Sequence, residues 1–366
     1  MARISVVGAL PPPYYGAAKN TKIIADLLSA AGAQVRLFDT APKSSGAHVR
    51  TLMYHVSRVR LLLRNLLGIR SSSTLYIVAD GGFGIWYTLL YVVAFKEHGR
   101  IYIHHRNYSH IEKVSLAMKL IVRQIAPTAT HIFLDNEMAD RFEALYGPVA
   151  DRRVVSNAAT NDVAVSVSRA RASGALRVGF LSNLTNEKGF DVVVETFLRL
   201  SKEVPASIFL LGGKAVGPRE ERLLKHLQSE LGDRLDYRGA VYGDNKSKFF
   251  SEVDVFLFPT RYVQEAQPNV LFEAMAAGCF IIAPPRACIP SMMAGVPCAL
   301  VPDGRDYSAR ISQAVIAASQ AATDMLVRGE ISRAADCKRK VALAVLDELI
   351  REMSDDDRHA VLNCER

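Results

Sequence analysis

Short apolar runs of strand length alternate with amphipathic stretches of helix length along most of the chain. The first set of candidate strands comprises 4–7, 35–38, 75–78, 101–103, 131–134 and 153–155. The second set comprises 177–181, 206–211, 235–237, 255–258, 280–282 and 299–301. Helix candidates between them include 17–30, 85–96, 115–125 and 190–201. Alternation of this kind is typical of parallel sheets with helices on both faces, so the pattern predicts an α/β protein with two doubly wound sheets.

The 366 residues are too many for one ordinary core and suit two domains. The polar segment 158–174 is rich in small residues and separates the two sets of strands, so it predicts a linker. We therefore expect Rossmann-like domains over 1–165 and 166–335. The C-terminal segment 336–366 follows these two domains. It contains most of a last predicted helix, over about 334–352, which could pack on either domain.

One helix near the middle of the second set carries candidate chemistry. Pro268 is favoured as a first helical residue and Gly278 is typical of a helix stop, so a helix over about 268–277 is predicted. The amides at its start, beside 265–269, favour an anion such as a phosphate. Glu273 lies among apolar neighbours, and a buried carboxylate needs partners, for which ribose hydroxyls are suitable.

Glu265 and Glu273 with the residues between them resemble the Glu-x7-Glu signature of family 4 glycosyltransferases. Segments 255–260 and 278–283 resemble the strands that flank this signature, and the likeness extends over about 176–283. The resemblance implies the GT-B fold, two Rossmann-like domains that face a central cleft. It also implies that the C-terminal domain binds a nucleotide diphosphate sugar, UDP- or GDP-linked, and that the N-terminal domain binds the acceptor.

Residues 179–189 resemble the loop that holds the donor diphosphate in that family. Lys188 matches the family's lysine, but Asn183 stands where an arginine is expected. Helix amides or another cation could compensate, and the candidates are Lys214, Lys19 and Arg261. By resemblance, Glu273 holds the ribose and Glu265 faces the donor sugar.

Further donor contacts are expected at the ends of strands and at the start of the predicted helix. Gly213 gives the backbone room to approach a ligand. Gly239 and Val241 follow the strand 235–237, where the family frames the base, although an ordinary tight turn explains them equally well. Main-chain groups from Ala266 onward are expected to meet the sugar or phosphate, which adds Gln267, Pro268, Asn269 and Val270. In the first half, Gly16 ends a loop that resembles the family's glycine loop.

His104 and His105 follow the strand 101–103, where family members often carry a histidine near the reacting centre. Side chains alternate along a strand, so the two are expected to face opposite ways. We expect His105 to face the cleft, and the alternative is that both histidines serve packing.

The charge is unevenly distributed. Residues 1–160 hold 19 of the 45 Lys and Arg and 10 of the 37 Asp and Glu, a net charge of +9, so the remainder is nearly neutral. A basic half suits an anionic acceptor, an anionic membrane surface or nucleic acid. The basic, leucine-rich stretch 54–70 predicts a helix that either lies weakly on an anionic membrane or packs on the sheet with its arginines in water. Because the second half is neutral and no aromatic-basic motif is present, no nucleic-acid partner is expected.

Other features exclude several classes of protein. No apolar run reaches the roughly 20 residues of a membrane span, and no secretory pattern opens the chain. The five cysteines are odd in number, lie only in the C-terminal half and form no Cys-x-x-Cys motif, which suits a reducing cytosol. We therefore expect a cytoplasmic protein, peripheral on the inner face of a membrane at most. Glu252 and Asp254 imitate a metal motif but enter a buried strand, so no metal or other cofactor is expected.

The resemblance to family 4 glycosyltransferases implies a retaining glycosyltransferase that moves a hexose-type sugar to a hydroxyl of a glycan or lipid-linked acceptor. Cell-envelope polysaccharide or glycolipid synthesis is the expected setting. The predicted catalytic residues are Glu265, Lys188, His105 and His104. Two alternatives stay open: a nucleotide-sugar 2-epimerase of the same fold, and a non-catalytic protein that binds polyanions or glycans, which the missing arginine at Asn183 allows.

Overall fold

The computed structural model describes residues 1–12, 16–41, 52–125, 129–161 and 174–355. The chain forms two compact units. Unit 1 contains the described residues of 1–160, 264–267 and 341–366, and unit 2 contains those of 161–263 and 268–340. Most of the predicted linker lies outside the described residues. Among the helices of the described part, none combines the length and the apolar character that crossing a bilayer requires.

Unit 1 is built on a parallel sheet of six strands in the order β2-β1-β3-β4-β5-β6. The strands are β1 (Arg3–Gly8), β2 (Gln34–Asp39), β3 (Thr74–Val78), β4 (Arg100–His104), β5 (Ala129–Phe133) and β6 (Asp151–Val154). Its helices are α1 (Gly16–Ala30), α2 (Leu52–Ile69), α3 (Ile85–Phe95), α4 (Ser109–Glu112), α5 (Leu116–Ile125) and α6 (Asn136–Tyr146). The inner strands are buried at nearly every position because helices cover both faces of such a sheet.

Unit 2 repeats this architecture with the strand order β12-β11-β10-β7-β8-β9. The strands are β7 (Arg177–Leu181), β8 (Ile208–Gly212), β9 (Leu235–Tyr237), β10 (Val255–Leu257), β11 (Phe280–Ala283) and β12 (Cys298–Leu300). The helices are α7 (Phe190–Glu203), α8 (Pro218–Leu231), α9 (Asp244–Ser251), α10 (Asn269–Ala276), α11 (Ile289–Met293), α12 (Tyr307–Thr323) and α13 (Met325–Ser354). The two doubly wound parallel sheets confirm the predicted fold class, and every predicted strand is present to within two residues at each end.

The last helix, α13, begins nine residues before the predicted start. The sequence pattern missed its first turns because Gly329 and several charged residues interrupt their apolar periodicity. Its residues from 341 onward belong to unit 1. There Glu352 accepts hydrogen bonds from the Tyr102 hydroxyl at 3.0 Å and from Arg153 Nη2 at 3.2 Å. These bonds attach the end of α13 to β4 and β6.

Helix α2 buries two polar side chains, Arg58 and Asn65, beside the apolar Leu62 and Ile69. Arg58 is buried, donates to Thr40 O at 2.7 Å and pairs with the Asp80 carboxylate. Asn65 is also buried and donates to the Tyr91 hydroxyl at 3.1 Å. Apolar residues such as Leu63 and Leu67 are exposed instead. The alternative in which this helix packs with its arginines in water is therefore wrong for Arg58.

Candidate functional site

The loop between β7 and α7 in unit 2 presents Lys188. This loop folds back on itself, since Lys188 N donates to Thr185 O at 3.2 Å and Gly189 N donates to Asn186 O at 3.0 Å. Gly189 has a left-handed backbone, with φ 78° and ψ 27°, at the N-terminal cap of α7. That conformation favours glycine. No side chain caps the start of α7. Its first amide, Phe190 N, donates to Thr185 O at 3.1 Å and so holds the helix start to the same loop.

Lys188 and Arg261 lie at the same corner of unit 2. The Lys188 ammonium lies over the Tyr262 ring, 4.5 Å from its centroid. Arg261 N donates to Glu187 O at 2.8 Å, its guanidinium donates to Asn186 Oδ1 at 3.0 Å, and the same group pairs with the Asp191 carboxylate. Asn183, at the position where the family's arginine was expected, is exposed. Arg261 is one of the three cations that could replace the arginine absent at Asn183, and its bonds hold it to the loop that carries Lys188.

Helix α10 holds Glu273 among apolar neighbours. Leu271, Phe272, Ala274 and Met275 are all buried, and Glu273 itself is only 4 % exposed. The Glu273 carboxylate forms an ion pair with the Lys246 ammonium of α9. Without that pair, burial of the carboxylate would cost several kcal/mol. Glu273 is therefore a buried acid whose charge Lys246 compensates.

Helix α10 is short but firmly bounded. Pro268 occupies the N-terminal cap and not the first helical position, so the helix begins one residue later than predicted. At the other end Gly278 has φ 72°, Gly278 N donates to Met275 O at 2.8 Å and Cys279 N donates to Ala274 O at 3.0 Å. This pair of bonds is a Schellman motif, which confirms Gly278 as the helix stop. Asn269 and Val270, two of the predicted donor contacts, form the first turn and are half-buried.

A cavity of about 430 Å³ lies beside the segment between β9 and α9. Its lining residues are Arg238, Ala240, Val241, Asn245, Lys248 and Glu252. Hydrogen bonds to the carboxylates of Asp236 and Glu252 raise the pKa of Arg238. Helix α9 thus contributes Lys248 to the cavity and Lys246 to Glu273. The predicted contact Val241 lies in the cavity wall.

Two glycines shape the neighbouring backbone. A Cβ on Gly213, which has φ 132°, would lie 1.7 Å from Ser182 O. The close approach of the loops after β7 and β8 therefore needs a glycine there. Gly213 N donates to Gly239 O at 2.6 Å, so the loop after β9 is bonded to the same place.

Glu265 belongs to the segment 264–267 of unit 1, where it is half-buried. Gln264 Oε1 accepts from Asn107 Nδ2 at 3.2 Å, and Gln267 Oε1 accepts from Asn157 N at 2.6 Å. These bonds attach both ends of the segment just after β4 and β6. Glu265 therefore lies at the carboxyl end of the unit 1 sheet, where doubly wound sheets bind ligands. The Gln267 side chain is buried in this attachment.

His104 and His105 face opposite ways, as predicted, and both are buried. His104 Nδ1 and the Tyr76 hydroxyl are 2.6 Å apart. His105 forms a cluster with His110 at 3.0 Å and His131 at 2.9 Å, and its ring stacks on Phe133. These packing contacts account for both side chains. Desolvation on burial lowers the pKa of His104 and of His105 well below the usual range.

The loop after β1, which ends at Gly16, is the segment that resembles the family's glycine loop. Gly16 is the first residue of α1 and is exposed, so its backbone is accessible. Residues 13–15 of the loop lie outside the described residues. Before them, Leu10 N donates to Asp39 Oδ1 at 3.2 Å, which holds the loop to the end of β2.

Sequence reasoning missed Lys246 and Arg238. Lys246 lies 27 positions before its partner Glu273, and no local spacing relates the two. The spacing within α9 could have pointed to Lys246. Phe249 and Phe250 are buried and lie three and four residues after Lys246, so all three residues share the helix face that packs inward. Glu252, which imitates half of a metal motif, pairs with Arg177 and Arg238.

Residues 175–320 match the protein family described as Glycosyl transferases group 1. None of the curated proteins matches the sequence. The matched range covers every unit 2 site residue described above, including Lys188, Lys246 and Glu273.

Several solved structures share the fold of the whole chain. The sucrose-phosphate synthase of Thermosynechococcus elongatus has a TM-score of 0.72 at 14 % identity, over 96 % of this chain and 99 % of that one. Anabaena HepE in complex with UDP has a TM-score of 0.67 at 14 % identity, over 97 % and 100 %. A glycosyltransferase of Rickettsia africae has a TM-score of 0.66 at 11 % identity, over 97 % and 99 %. The chain therefore has the GT-B fold, with two Rossmann-like units.

Proposed function

We propose that this chain, which carries a glycosyl transferases group 1 domain over residues 175–320, is a retaining glycosyltransferase. It takes a hexose-type sugar from a nucleotide diphosphate sugar and transfers it to a hydroxyl of a glycan or lipid-linked acceptor. Assembly of cell-envelope polysaccharide or glycolipid is the setting that fits the basic first half of the chain. Anabaena HepE, which shares the fold, is known in complexes with UDP and with UDP-glucose.

The observation that carries the proposal is the ion pair between the buried Glu273 carboxylate and Lys246, whose side chain is 31 % exposed. A carboxylate is kept inside an apolar helix at considerable cost, and a functional role explains that cost better than stability does, since replacement of a buried pair by apolar groups is often neutral or stabilising. A paired carboxylate still has lone pairs that accept hydrogen bonds from two ribose hydroxyls. We assign Glu273 to the ribose and the cavity beside Val241 to the base.

Lys188 is the group we assign to the diphosphate. As the bond between sugar C1 and the phosphate oxygen breaks, the leaving diphosphate gains negative charge, and a cation placed there lowers the barrier. Arg261, bonded to the same loop, and the positive dipole end of α7 add positive potential in place of the arginine absent at Asn183.

Retention follows when the acceptor oxygen attacks C1 on the face from which the diphosphate departs. The new bond joins the acceptor oxygen to C1, the bond from C1 to the phosphate oxygen breaks, and the acceptor proton passes to that phosphate oxygen. Glu265 is assigned to the donor sugar as the residue that orients it. This mechanism needs no metal or other cofactor.

The direct test is incubation of the purified chain with radiolabelled UDP- and GDP-sugars, with and without glycan and lipid-linked acceptors. We expect labelled product only when an acceptor is present, with the anomeric configuration of the donor retained by NMR. An epimerised nucleotide sugar formed without acceptor would show a 2-epimerase instead. Absence of UDP and GDP binding in calorimetry would show a non-catalytic protein.

The residue test is Glu273→Gln, which keeps the shape of the side chain and removes its charge. Hydrogen bonds to a charged acceptor are worth about 1.5–3 kcal/mol, so we expect roughly 10- to 100-fold weaker binding of the nucleotide by calorimetry. Glu230→Gln, an exposed glutamate of α8, is the matched control and should bind like the wild type. Equal affinities for the two variants would remove Glu273 from the donor site.

A further inference from the structure

The outer face of α2 is apolar. Five large side chains on this helix recur every three or four residues, so they form one stripe along it. They are Leu52, Val56, Val59, Leu63 and Leu67, and all are exposed in the complete chain. Leu67 is 79 % exposed and Leu63 is 62 % exposed. Because Arg58 and Asn65 occupy the opposite, buried side, this stripe is not part of the core.

Helix α3 extends this apolar surface. The Tyr87 hydroxyl lies 3.0 Å from His55 Nδ1, and Arg70 Nε donates to Ala94 O at 3.1 Å, so the two helices run side by side within unit 1. Trp86, Leu90 and Val93 of α3 are exposed and also recur every three or four residues. We call these three residues and the five of α2 the α2–α3 face.

Positive charge borders the α2–α3 face. Arg60 and Arg64 are exposed and lie along one side of the α2 stripe, and Arg70 follows the end of the helix. Neither α2 nor α3 contains an Asp or Glu. The apolar stripe together with one-sided arginines is the pattern of helices that lie in a membrane interface. Tryptophan is also enriched at that depth.

A second copy of this chain is a less favourable partner for the face than a bilayer. A contiguous exposed apolar surface usually marks a binding site for a protein or a membrane. The α2 and α3 helices of a second copy would bring further arginines and no Asp or Glu to pair with them, so the two faces are not complementary in charge. An anionic lipid surface accepts both the leucines and the arginines.

We propose that the α2–α3 face of unit 1 docks on the surface of an anionic bilayer. Helices α2 and α3 lie in the plane of the membrane with Leu63, Leu67 and Trp86 in the interface, and Arg60 and Arg64 meet lipid phosphates. From Leu52 to Leu67 the stripe spans about 22 Å at 1.5 Å per residue, long enough to bind along its length. Arg58 and Asn65 bind the opposite side of α2 to the rest of unit 1, so the leucines of the stripe can contact lipid.

Trp86 is the single tryptophan of the chain, so the intrinsic tryptophan fluorescence measures contact of this face with lipid. The experiment titrates the full chain with vesicles of phosphatidylcholine and phosphatidylglycerol in equal parts. We expect a blue shift of the Trp86 emission and co-sedimentation of the protein, both weaker with phosphatidylcholine alone and at high salt. No sugar donor is used, so failure here is distinguishable from failure of the proposed function.

Variants make the test specific. Leu67→Glu should weaken vesicle binding roughly 10- to 100-fold, since the burial of one leucine is lost. Leu326→Glu is the matched control, because Leu326 is 81 % exposed on α13, and it should bind like the wild type. Arg60→Gln with Arg64→Gln should weaken binding to anionic vesicles about 25-fold and leave binding to phosphatidylcholine unchanged.

Three results would overturn the proposal. One is absence of vesicle binding by the wild type, and another is equal binding by Leu67→Glu and Leu326→Glu. The third is a concentration-dependent dimer that Leu67→Glu abolishes, which would assign the face to a second copy of the chain. All these positions are exposed, and matching thermal unfolding curves will show that each variant is folded.

Discussion

Gly189 controls the loop that carries Lys188. Its φ of 78° is in the left-handed region, and a Cβ there would lie 2.2 Å from Pro259 O. Pro259 follows β10, so the loop after β7 passes against the backbone at the end of a neighbouring strand. Any side chain at this position would push the loop, and Lys188 with it, away from that strand.

Gly189→Ala should therefore destabilise unit 2 by about 3 kcal/mol or more, the sum of left-handed strain and steric overlap. Denaturant unfolding measures this free energy. Gly295→Ala is the matched control, because Gly295 has φ 71° but no atom within 4 Å of the added Cβ. We expect the control to lose only about 1–2 kcal/mol of backbone strain. Equal losses would show that the approach to Pro259 is unimportant.

For single residues, the sequence was most informative where local rules apply. The pattern of Pro268 and Gly278 predicted α10, and the apolar neighbours of Glu273 predicted its burial. The identity of the partner was not predictable, because ribose hydroxyls were the only partners that local reasoning offered. The structure supplies Lys246, and both can serve, since a carboxylate accepts several hydrogen bonds.

Helix α13 depends on one buried side for its attachment to unit 1. Leu346, Leu349, Ile350 and Met353 are all buried in the part of the helix that belongs to this unit. Full burial of each such side chain contributes about 1.5–3 kcal/mol. Burial at the end of α13 is therefore a substantial favourable term for unit 1, which the entropy lost on ordering the helix offsets in part.

Leu346→Asp places an unpaired carboxylate at a fully buried position of α13. We expect a loss of several kcal/mol of unfolding free energy in unit 1, visible as a lower melting temperature and faster proteolysis of that unit. Leu326→Asp, at an exposed position of the same helix, should leave both properties unchanged. If the two variants melt alike, the end of α13 does not stabilise unit 1.

Helix α2 shows how the position of an element can be predicted while its orientation is left open. Its residues 52–69 agree with the predicted stretch 54–70. Periodicity placed leucines and arginines on separate faces, and the usual rule turns leucines inward. Arg58 alone among these arginines turns inward, because the Thr40 carbonyl and the Asp80 carboxylate are within its reach, a contact that no local pattern contains.

The two units of the molecule differ in histidine content. Unit 1 buries His104, His105, His110 and His131, whereas His226 is the one histidine among the described residues of unit 2 and is exposed. Desolvation lowers the pKa of His131 to about 4 and that of His110 to about 3. Protonation of this cluster is thus disfavoured in folded unit 1 and permitted in the unfolded chain.

Acid should unfold unit 1 before unit 2. The pKa of an unfolded histidine is about 6.5, so below that pH the unfolded chain binds more protons. The free energy of unfolding of unit 1 should fall between about pH 6.5 and pH 4, by about 1.4 kcal/mol per pH unit for each buried histidine. Calorimetry across this range, with limited proteolysis to identify the units, measures the shift.

His131→Gln is the variant that tests the cluster. It should reduce the slope of unfolding free energy against pH by about 1.4 kcal/mol per pH unit, whatever it does to stability at neutral pH. The exposed His226→Gln is the control and should leave the slope unchanged. Parallel loss of both units on acidification would contradict the assignment to buried histidines.

Local periodicity was enough for the two sets of strands, the helices between them and the end of α10 at Gly278, because each depends on residues a few positions apart. The pairing of Glu273 with Lys246, the inward turn of Arg58 and the enclosure of His105 by His110 and His131 depended on the folded chain. Charged and polar groups choose partners by distance in space, and residues far apart in sequence become neighbours only when the sheets form.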